Sequence, residues 1–202
     1  IAANGLFAAL AFGAGPETTG AMRLNVNGGA ASFVANTNVP AVSIKGKSTA
    51  MKAEVSASRS DQGLVIEHIE AIVPVKTLQT GMGVRDEHMR KYIFTTPDGQ
   101  TPDVVFKADN VTCPSAQGAC SIAGSLAIRG VARPFSIALK VREEGGGFKV
   151  SGESTVKLSD YGIEQPSQFG VKTENAVAVR LEFNARPAAF AFLYTAGSVP
   201  PM

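Results

Sequence analysis

The residues best suited to acid–base chemistry form one short run, Arg85-Asp86-Glu87-His88. A neutral imidazole beside carboxylates has the residue types of a general base. A base also needs a nucleophile or a substrate proton within reach, and the sequence has no GxSxG elbow, HExxH helix or active-site cysteine. We therefore predict no catalytic residue and interpret the run as a short helix with Asp86 at its N-cap, ending near Lys91. An enzyme that uses Asp86 and His88 is the least favoured hypothesis.

Two further polar segments have a binding and a structural interpretation. In Ser159-Asp160-Tyr161-Gly162, Asp160 either presents a carboxylate to a ligand or binds backbone N–H groups in a turn where Gly162 has a positive φ. Arg129 and Arg133, in the hairpin around Gly130, either bind a phosphate or remain solvated.

The two cysteines, Cys113 and Cys120, flank a turn marked by Pro and Gly between two strand-like runs. A hairpin brings them together, which predicts a disulfide and an oxidising compartment; two buried thiols are the alternative. Two cysteines and the distant His68 and His88 do not have zinc-ligand spacing, so no metal is predicted.

Charge and composition restrict the class of protein. The net charge is +2, with no basic run, and this excludes a nucleic-acid surface. With 202 residues, 45% hydrophobic and 18% charged, the chain is long and apolar enough to bury a large core.

Apolar and polar residues alternate along most of the chain, as in half-buried strands. The clearest case places Phe135, Ile137, Leu139 and Val141 on one face, and 177–183 repeats the pattern. Other candidate strands lie at 23–26, 32–35, 42–47, 51–58, 64–75, 104–111, 121–129 and 148–158. Eight to ten antiparallel strands predict a single all-β domain, and alternation leaves a barrel and a sandwich equally open.

Three segments depart from this alternation. Asn27-Gly28-Gly29 is expected to form a turn between two strands. One short helical segment is expected near 77–91. Residues 1–20 and 187–202 are apolar arms outside a domain at 21–186, and each needs its own domain, a protein partner or a lipid surface to cover it.

Five motifs occur in an order that resembles the YceI-like family. They are Thr80-Gly81, Arg85-Asp86-Glu87-His88-Met89-Arg90, Pro102-Asp103-Val104-Val105-Phe106-Lys107, the 124–135 segment GSLAIRGVARPF and Leu158-Ser159-Asp160-Tyr161-Gly162-Ile163. The resemblance covers about residues 22–185. It does not extend to the cysteine pair or the arms.

The resemblance implies an antiparallel, lipocalin-like barrel of roughly eight strands, periplasmic or extracellular, which binds a polyisoprenoid such as an isoprenoid quinone or prenyl phosphate and requires no cofactor. Arg85, Asp86, His88 and Asp160 are candidates for the mouth that holds the head group. The expected cavity lining, which alternation alone does not distinguish from plain core, is Phe106, Ile128, Phe135, Ile137, Leu139, Val177, Val179 and Leu181.

Two functions follow. The favoured one is a non-catalytic carrier or store of an isoprenoid lipid, since burial of an apolar chain needs no catalytic residue. The alternative is a structural or accessory subunit of a membrane-associated complex, or a homo-oligomer, docked through the apolar arms 1–20 and 187–202.

Overall fold

A computed structural model describes residues 21–61, 63–115 and 117–188. Nearly all of these residues form strands. The nine strands are β1 (Met22–Thr37), β2 (Ser43–Ser60), β3 (Gly63–Val73), β4 (Val104–Cys113), β5 (Gly118–Ile128), β6 (Val131–Glu144), β7 (Gly147–Lys157), β8 (Ser167–Gln168) and β9 (Val171–Pro187).

Eight of the strands form one closed antiparallel barrel. Each of β1 to β7 pairs with the next, β7 pairs with β9, and β9 pairs with β1. Because β1 has partners on both sides, the sheet has no free edge there and is a barrel. The predicted barrel of about eight strands is confirmed, and the sandwich is wrong. The two-residue strand β8 forms only a hairpin with β9.

The first strand corrects the expected turn at residues 27–29. β1 continues through Asn27, Gly28 and Gly29, and its register against β2 shifts on either side of Gly29. Gly28 has φ +84°, a conformation that a side chain disfavours. The two glycines therefore form a bulge that bends one long strand around the barrel.

The helical segment lies between β3 and β4. It comprises a 3₁₀ turn (Val75–Thr77), α1 (Gly83–Met89) and a π-helical turn (Arg90–Phe94). The N-cap of α1 is Met82, so the prediction that Asp86 caps the helix is wrong. Asp86 lies inside the first turn of α1. Its carboxylate accepts hydrogen bonds from Thr80, a residue that precedes the helix, and not from the backbone N–H groups at the helix start.

The two ends of the barrel differ. The end with the turns after β2, β4 and β6 is filled by a core that includes Val26, Ala57, Leu64, Cys113 and Phe148. We call this the closed end. The opposite end carries the 38–42 turn, the 74–103 segment, the 129–130 turn and the 158–170 segment. We call it the open end.

The predicted disulfide joins Cys113 and Cys120, and both cysteines are buried at the closed end. It links β4 to β5, whose ladder covers only Val105–Lys107 against Ser125–Ala127. The disulfide therefore holds the two strands together beyond the reach of their hydrogen bonds.

The described chain begins and ends at the closed end, where Leu24 pairs with Pro187 and the Ala188 N–H donates to the Arg23 carbonyl at 2.8 Å. Nearly all of the predicted arms, 1–20 and 187–202, lie outside the described residues. Their docking role and the domain boundaries remain predictions. Among the described residues, no helix has both the length and the apolar character needed to cross a membrane.

Candidate functional site: an apolar cavity with a polar mouth

The barrel contains a cavity of about 1410 Å³. It extends from the middle of the barrel, where Met51, Ala53 and Ile122 line it, to the open end. Alternation places one face of each strand inside, so the inner wall is almost entirely aliphatic and aromatic. Small inward side chains such as Ala53 and Ala71 leave the space that larger ones would fill. The cavity therefore has the size and apolar wall of a site for an elongated lipid.

All eight residues expected to line a cavity are on its wall. They are Phe106, Ile128, Phe135, Ile137, Leu139, Val177, Val179 and Leu181. The rings of Phe106 and Phe135 meet edge to face, with centroids 6.0 Å apart. Their contact with a ligand remains a prediction.

The wall also includes residues that sequence reasoning missed. Met82, Val84, Met89, Tyr92 and Ile93 close part of the open end. The hairpin residue Phe169 lies at the mouth as well. The two-residue connection Phe169-Gly170 was a usable signal for a tight hairpin, but nothing in the local sequence shows that it faces a cavity.

Polar side chains on the wall are concentrated at the open end. Ser32 also borders the cavity, but its hydroxyl donates to the Arg180 carbonyl at 3.5 Å in an exposed contact. The polar residues at the open end belong to the segments that connect the strands, to β8 or to the start of β9. They are Thr80, Arg85, His88, Arg129, Glu164, Gln165, Ser167, Gln168 and Thr173. This distribution suits a ligand with a long apolar chain and a polar head.

A hydrogen-bond chain fixes Arg85 at the mouth. Its Nε donates to Thr80 Oγ1 at 2.9 Å, and its Nη2 donates to the Thr80 carbonyl at 2.6 Å. Thr80 Oγ1 and the Thr80 N–H in turn donate to Asp86 Oδ1 at 2.5 and 2.7 Å. Arginine has five N–H donors, so these two bonds leave three.

The buried carboxylate of Asp86 is an anchor for this chain and does not line the cavity. The hydroxyl hydrogen bond from Thr80 holds the pKa of Asp86 below its usual value, against the opposing effect of burial. The Thr80 N–H and the charges of Arg90 and Arg85 lower the pKa further. Asp86 is thus ionised at neutral pH, and its carboxylate is already hydrogen-bonded to Thr80. It is therefore suited neither to proton transfer nor to direct contact with a ligand head group.

The other mouth candidates are divided. His88 lines the cavity, and its ring meets the ring of Tyr92 edge to face at 5.7 Å. Asp160 is exposed and is not on the cavity wall; its carbonyl accepts from Arg133 Nε at 2.7 Å. The segment forms a 3₁₀ helix, Leu158–Tyr161, that ends at Gly162 with φ +65°, so the positive φ of the turn interpretation is confirmed. The other part is wrong, because no backbone N–H of the described residues donates to the Asp160 carboxylate. Of the two arginines in the hairpin around Gly130, Arg129 lines the cavity and Arg133 does not.

His68 is not near His88 or the cysteines; its Nδ1 is within hydrogen-bond distance of Asp109 Oδ1, at 2.6 Å, across the ladder of β3 and β4. Within the described part of the chain, no three His, Cys, Asp or Glu residues lie close enough to hold a metal ion.

A closed antiparallel barrel with an apolar cavity and a polar mouth is the architecture of the lipocalin-like lipid-binding barrels. Within that class, the chain belongs to the YceI-like domain family, whose model matches residues 23–185. A comparison with curated proteins found no match.

Three solved structures share the fold. Burkholderia cenocepacia BcnA has a TM-score of 0.62 at 14% identity and covers 77% of this chain and 95% of its own. A polyisoprenoid binding domain from Saccharophagus degradans, implicated in plant cell wall breakdown, has a TM-score of 0.59 at 14% identity, with coverages of 84% and 100%. The Campylobacter jejuni YCEI protein has a TM-score of 0.60 at 12% identity, with coverages of 75% and 89%.

Proposed function

We propose that the protein holds one polyisoprenoid chain, that of an isoprenoid quinone or a prenyl phosphate, in the cavity as a carrier or store. The observation that carries this proposal is the 1410 Å³ cavity with its apolar wall and polar mouth. The polyisoprenoid binding domain of Saccharophagus degradans, which has the same fold, supports the choice of ligand class.

The driving force is the transfer of the chain from water to the wall. Burial of apolar surface contributes about 25 cal/mol per Å², or about 0.8 kcal/mol for each methylene-sized group. A polyisoprenoid has no polar atom along its chain, so it loses no hydrogen bonds to water on entry. A wall of Ile, Val, Leu and Phe side chains offers it close contacts throughout.

We assign the head group to the mouth. Arg85 is pre-positioned by Thr80 and keeps three N–H donors, and Arg129 is a second cation on the wall. Both a phosphate and a quinone carbonyl accept hydrogen bonds from such donors. His88 on the same rim adds a third polar group.

We propose that the protein is not an enzyme. The enzyme hypothesis used Asp86 and His88 together, with the carboxylate orienting the imidazole. Asp86 instead accepts hydrogen bonds from Thr80. We further propose a periplasmic or extracellular location, since disulfides such as Cys113–Cys120 persist mainly in oxidising compartments.

The proposal is tested by solvent extraction and mass spectrometry of the full chain, purified without detergent. We expect one polyisoprenoid species at close to one molecule per chain. A protein that carries no apolar chain and takes up none of the added prenyl alcohol after delipidation would contradict the proposal.

A further inference from the structure

The open end carries the large exposed hydrophobic side chains of the described residues. There are six: Val39, Val42, Met82, Val84, Tyr92 and Phe169. We call these six residues the rim. No comparable side chain is exposed on the outer wall or at the closed end in the described part of the chain. Scattered exposed apolar residues are common, but a set confined to one end of a molecule marks an interaction surface.

The rim surrounds the entrance to the cavity. Met82, Val84, Tyr92 and Phe169 line the cavity while being 58%, 67%, 59% and 96% exposed. Val39 and Val42 belong to the 38–42 turn, which is tied to the Phe169 hairpin. In that connection, Asn38 Nδ2 donates to the Gly170 carbonyl at 3.2 Å, and the Lys172 N–H donates to Asn38 Oδ1 at 2.8 Å.

Phe169 is the most informative member of the rim. It has φ +50° in the two-residue turn between β8 and β9, a backbone conformation that suits Asn or Gly and disfavours a bulky side chain. Its ring gains almost no packing in return, because it is almost fully exposed. Neither the turn nor the core of the described residues accounts for a phenylalanine here, which indicates that the ring serves a contact beyond them.

The charges at this end indicate what the rim contacts. The excess of cations lies in the strand ends that adjoin the open end. Together with these strand ends, the open end spans 38–47, 74–104, 128–133 and 157–174 and contains ten lysines and arginines and seven aspartates and glutamates, whereas the remaining described residues contain nine of each. The three ion pairs that lysines and arginines form in the described chain lie in the barrel body, and none includes a cation of the open end. At the open end, Arg85 and Arg90 interact with the charge of Asp86. One cation lies against a rim residue, since Lys91 Nζ is 5.4 Å from the centroid of the Tyr92 ring.

We propose that the rim docks the protein, mouth down, on an anionic lipid bilayer. Aromatic and aliphatic side chains flanked by cations are the combination that binds such a surface, since the apolar groups enter the acyl region and the cations meet the head groups. A protein partner would explain the apolar side chains, but it gives no reason for the cavity to open inside the rim. A bilayer does, because a chain can pass from it into the barrel without crossing water.

Docking itself does not depend on what the cavity holds; only the passage of the chain rests on the proposed function. The experiment therefore measures the two separately. The full chain is sedimented with vesicles of phosphatidylcholine and phosphatidylglycerol in equal parts, and with phosphatidylcholine vesicles alone. Binding of a prenyl alcohol is measured in vesicle-free solution.

Two variants carry the test. Phe169→Asn removes the ring and places in the turn a residue that favours its backbone, so the variant folds at least as well as the parent. We expect it to bind vesicles about tenfold or more weakly, because one aromatic side chain no longer enters the bilayer. Lys172→Glu should weaken binding to the anionic vesicles, and Lys140→Glu, the same change on the exposed outer face of β6, should not.

Every variant keeps residues 1–20 and 189–202, so any contribution of these segments to vesicle binding is the same throughout. Wild-type protein that binds prenyl alcohol but neither type of vesicle would overturn docking and leave the proposed function standing; the rim would then be a protein interface. Equal vesicle binding by wild type and Phe169→Asn, or equal effects of Lys172→Glu and Lys140→Glu, would also overturn it.

Discussion

Replacement of Ala71 by phenylalanine tests whether the cavity is the binding site. Ala71 is half-buried in β3, pairs with Ala53 on one side and Phe106 on the other, and lines the cavity at mid-depth. The larger side chain enters open space, so it displaces ligand volume without overpacking the core. Ala178, on the exposed outer face of β9, provides the matched control with the same substitution.

The expected effect follows from volume. A phenyl ring adds six heavy atoms, or roughly 180 Å³ at the ~30 Å³ that one water-sized group occupies in a liquid. That is slightly more than one five-carbon isoprene unit. An excluded unit loses up to about 4 kcal/mol of burial at 0.8 kcal/mol per carbon, and rearrangement of the chain recovers part of this loss. We expect Ala71→Phe to weaken binding of a long chain by about ten- to hundredfold.

The assay is competition between a dansyl-labelled prenyl probe and unlabelled prenyl alcohols of increasing length on the delipidated full chain. In the wild type, affinity should increase with length up to about nine units, at which roughly 150 Å³ per unit fills the 1410 Å³ cavity. Ala71→Phe should reach its plateau about one unit earlier, with an unchanged thermal midpoint. Equal affinities for Ala71→Phe and Ala178→Phe would refute the reasoning.

Three other predictions concern stability. Reduction of Cys113–Cys120 should lower the free energy of unfolding by about 2–3 kcal/mol in urea titrations, while prenyl binding persists because the disulfide is far from the mouth. Asp86→Asn should cost about 1–3 kcal/mol at neutral pH. Because folding lowers the pKa of Asp86 from 3.8, its contribution is present above that pH and is lost as the pH falls, so the difference from wild type should shrink in acid denaturation. Gly124→Ala should destabilise by about 1–3 kcal/mol, since its Cβ would overlap the Lys107 carbonyl oxygen; a thermal midpoint like that of wild type would contradict this.

Local pattern was sufficient where the barrel wall is regular. The alternation in 135–142 and 177–183 identified inward faces correctly, because a strand with one buried face has no other way to place its apolar residues. The spacing of the two cysteines around a turn was sufficient for the disulfide. These features depend on residues that are close in sequence.

Features that depend on contacts between residues far apart in the sequence could not be predicted from local pattern. Closure of the barrel rests on pairing between β1 and β9, the first and last strands, and alternation says nothing about that pairing. Asn27-Gly28-Gly29 has the composition of a turn and forms a bulge, because β2 and β9 continue past it. Asp86 has the residue type of an N-cap, but the donors that hold it come from Thr80, outside the helix.

The mouth shows the same limit. Arg85 and His88 belong to a dense polar run and line the cavity, whereas Asp160 was included although its 3₁₀ segment lies beside the barrel and off the cavity wall. Phe169 was missed because a phenylalanine before a glycine has no local sequence feature that indicates exposure at a cavity entrance. Its meaning appears only when its exposure, its φ and its place at the cavity are considered together.

The most direct test of the central claim is the electron density inside the barrel of a crystal of the full chain, purified without detergent and without delipidation. The account predicts one continuous tube of density that runs from the mid-barrel residues Met51 and Ile122 to the mouth, with its head beside Arg85. A cavity that contains only separate water peaks, in protein that also fails to take up added prenyl alcohol, would contradict it.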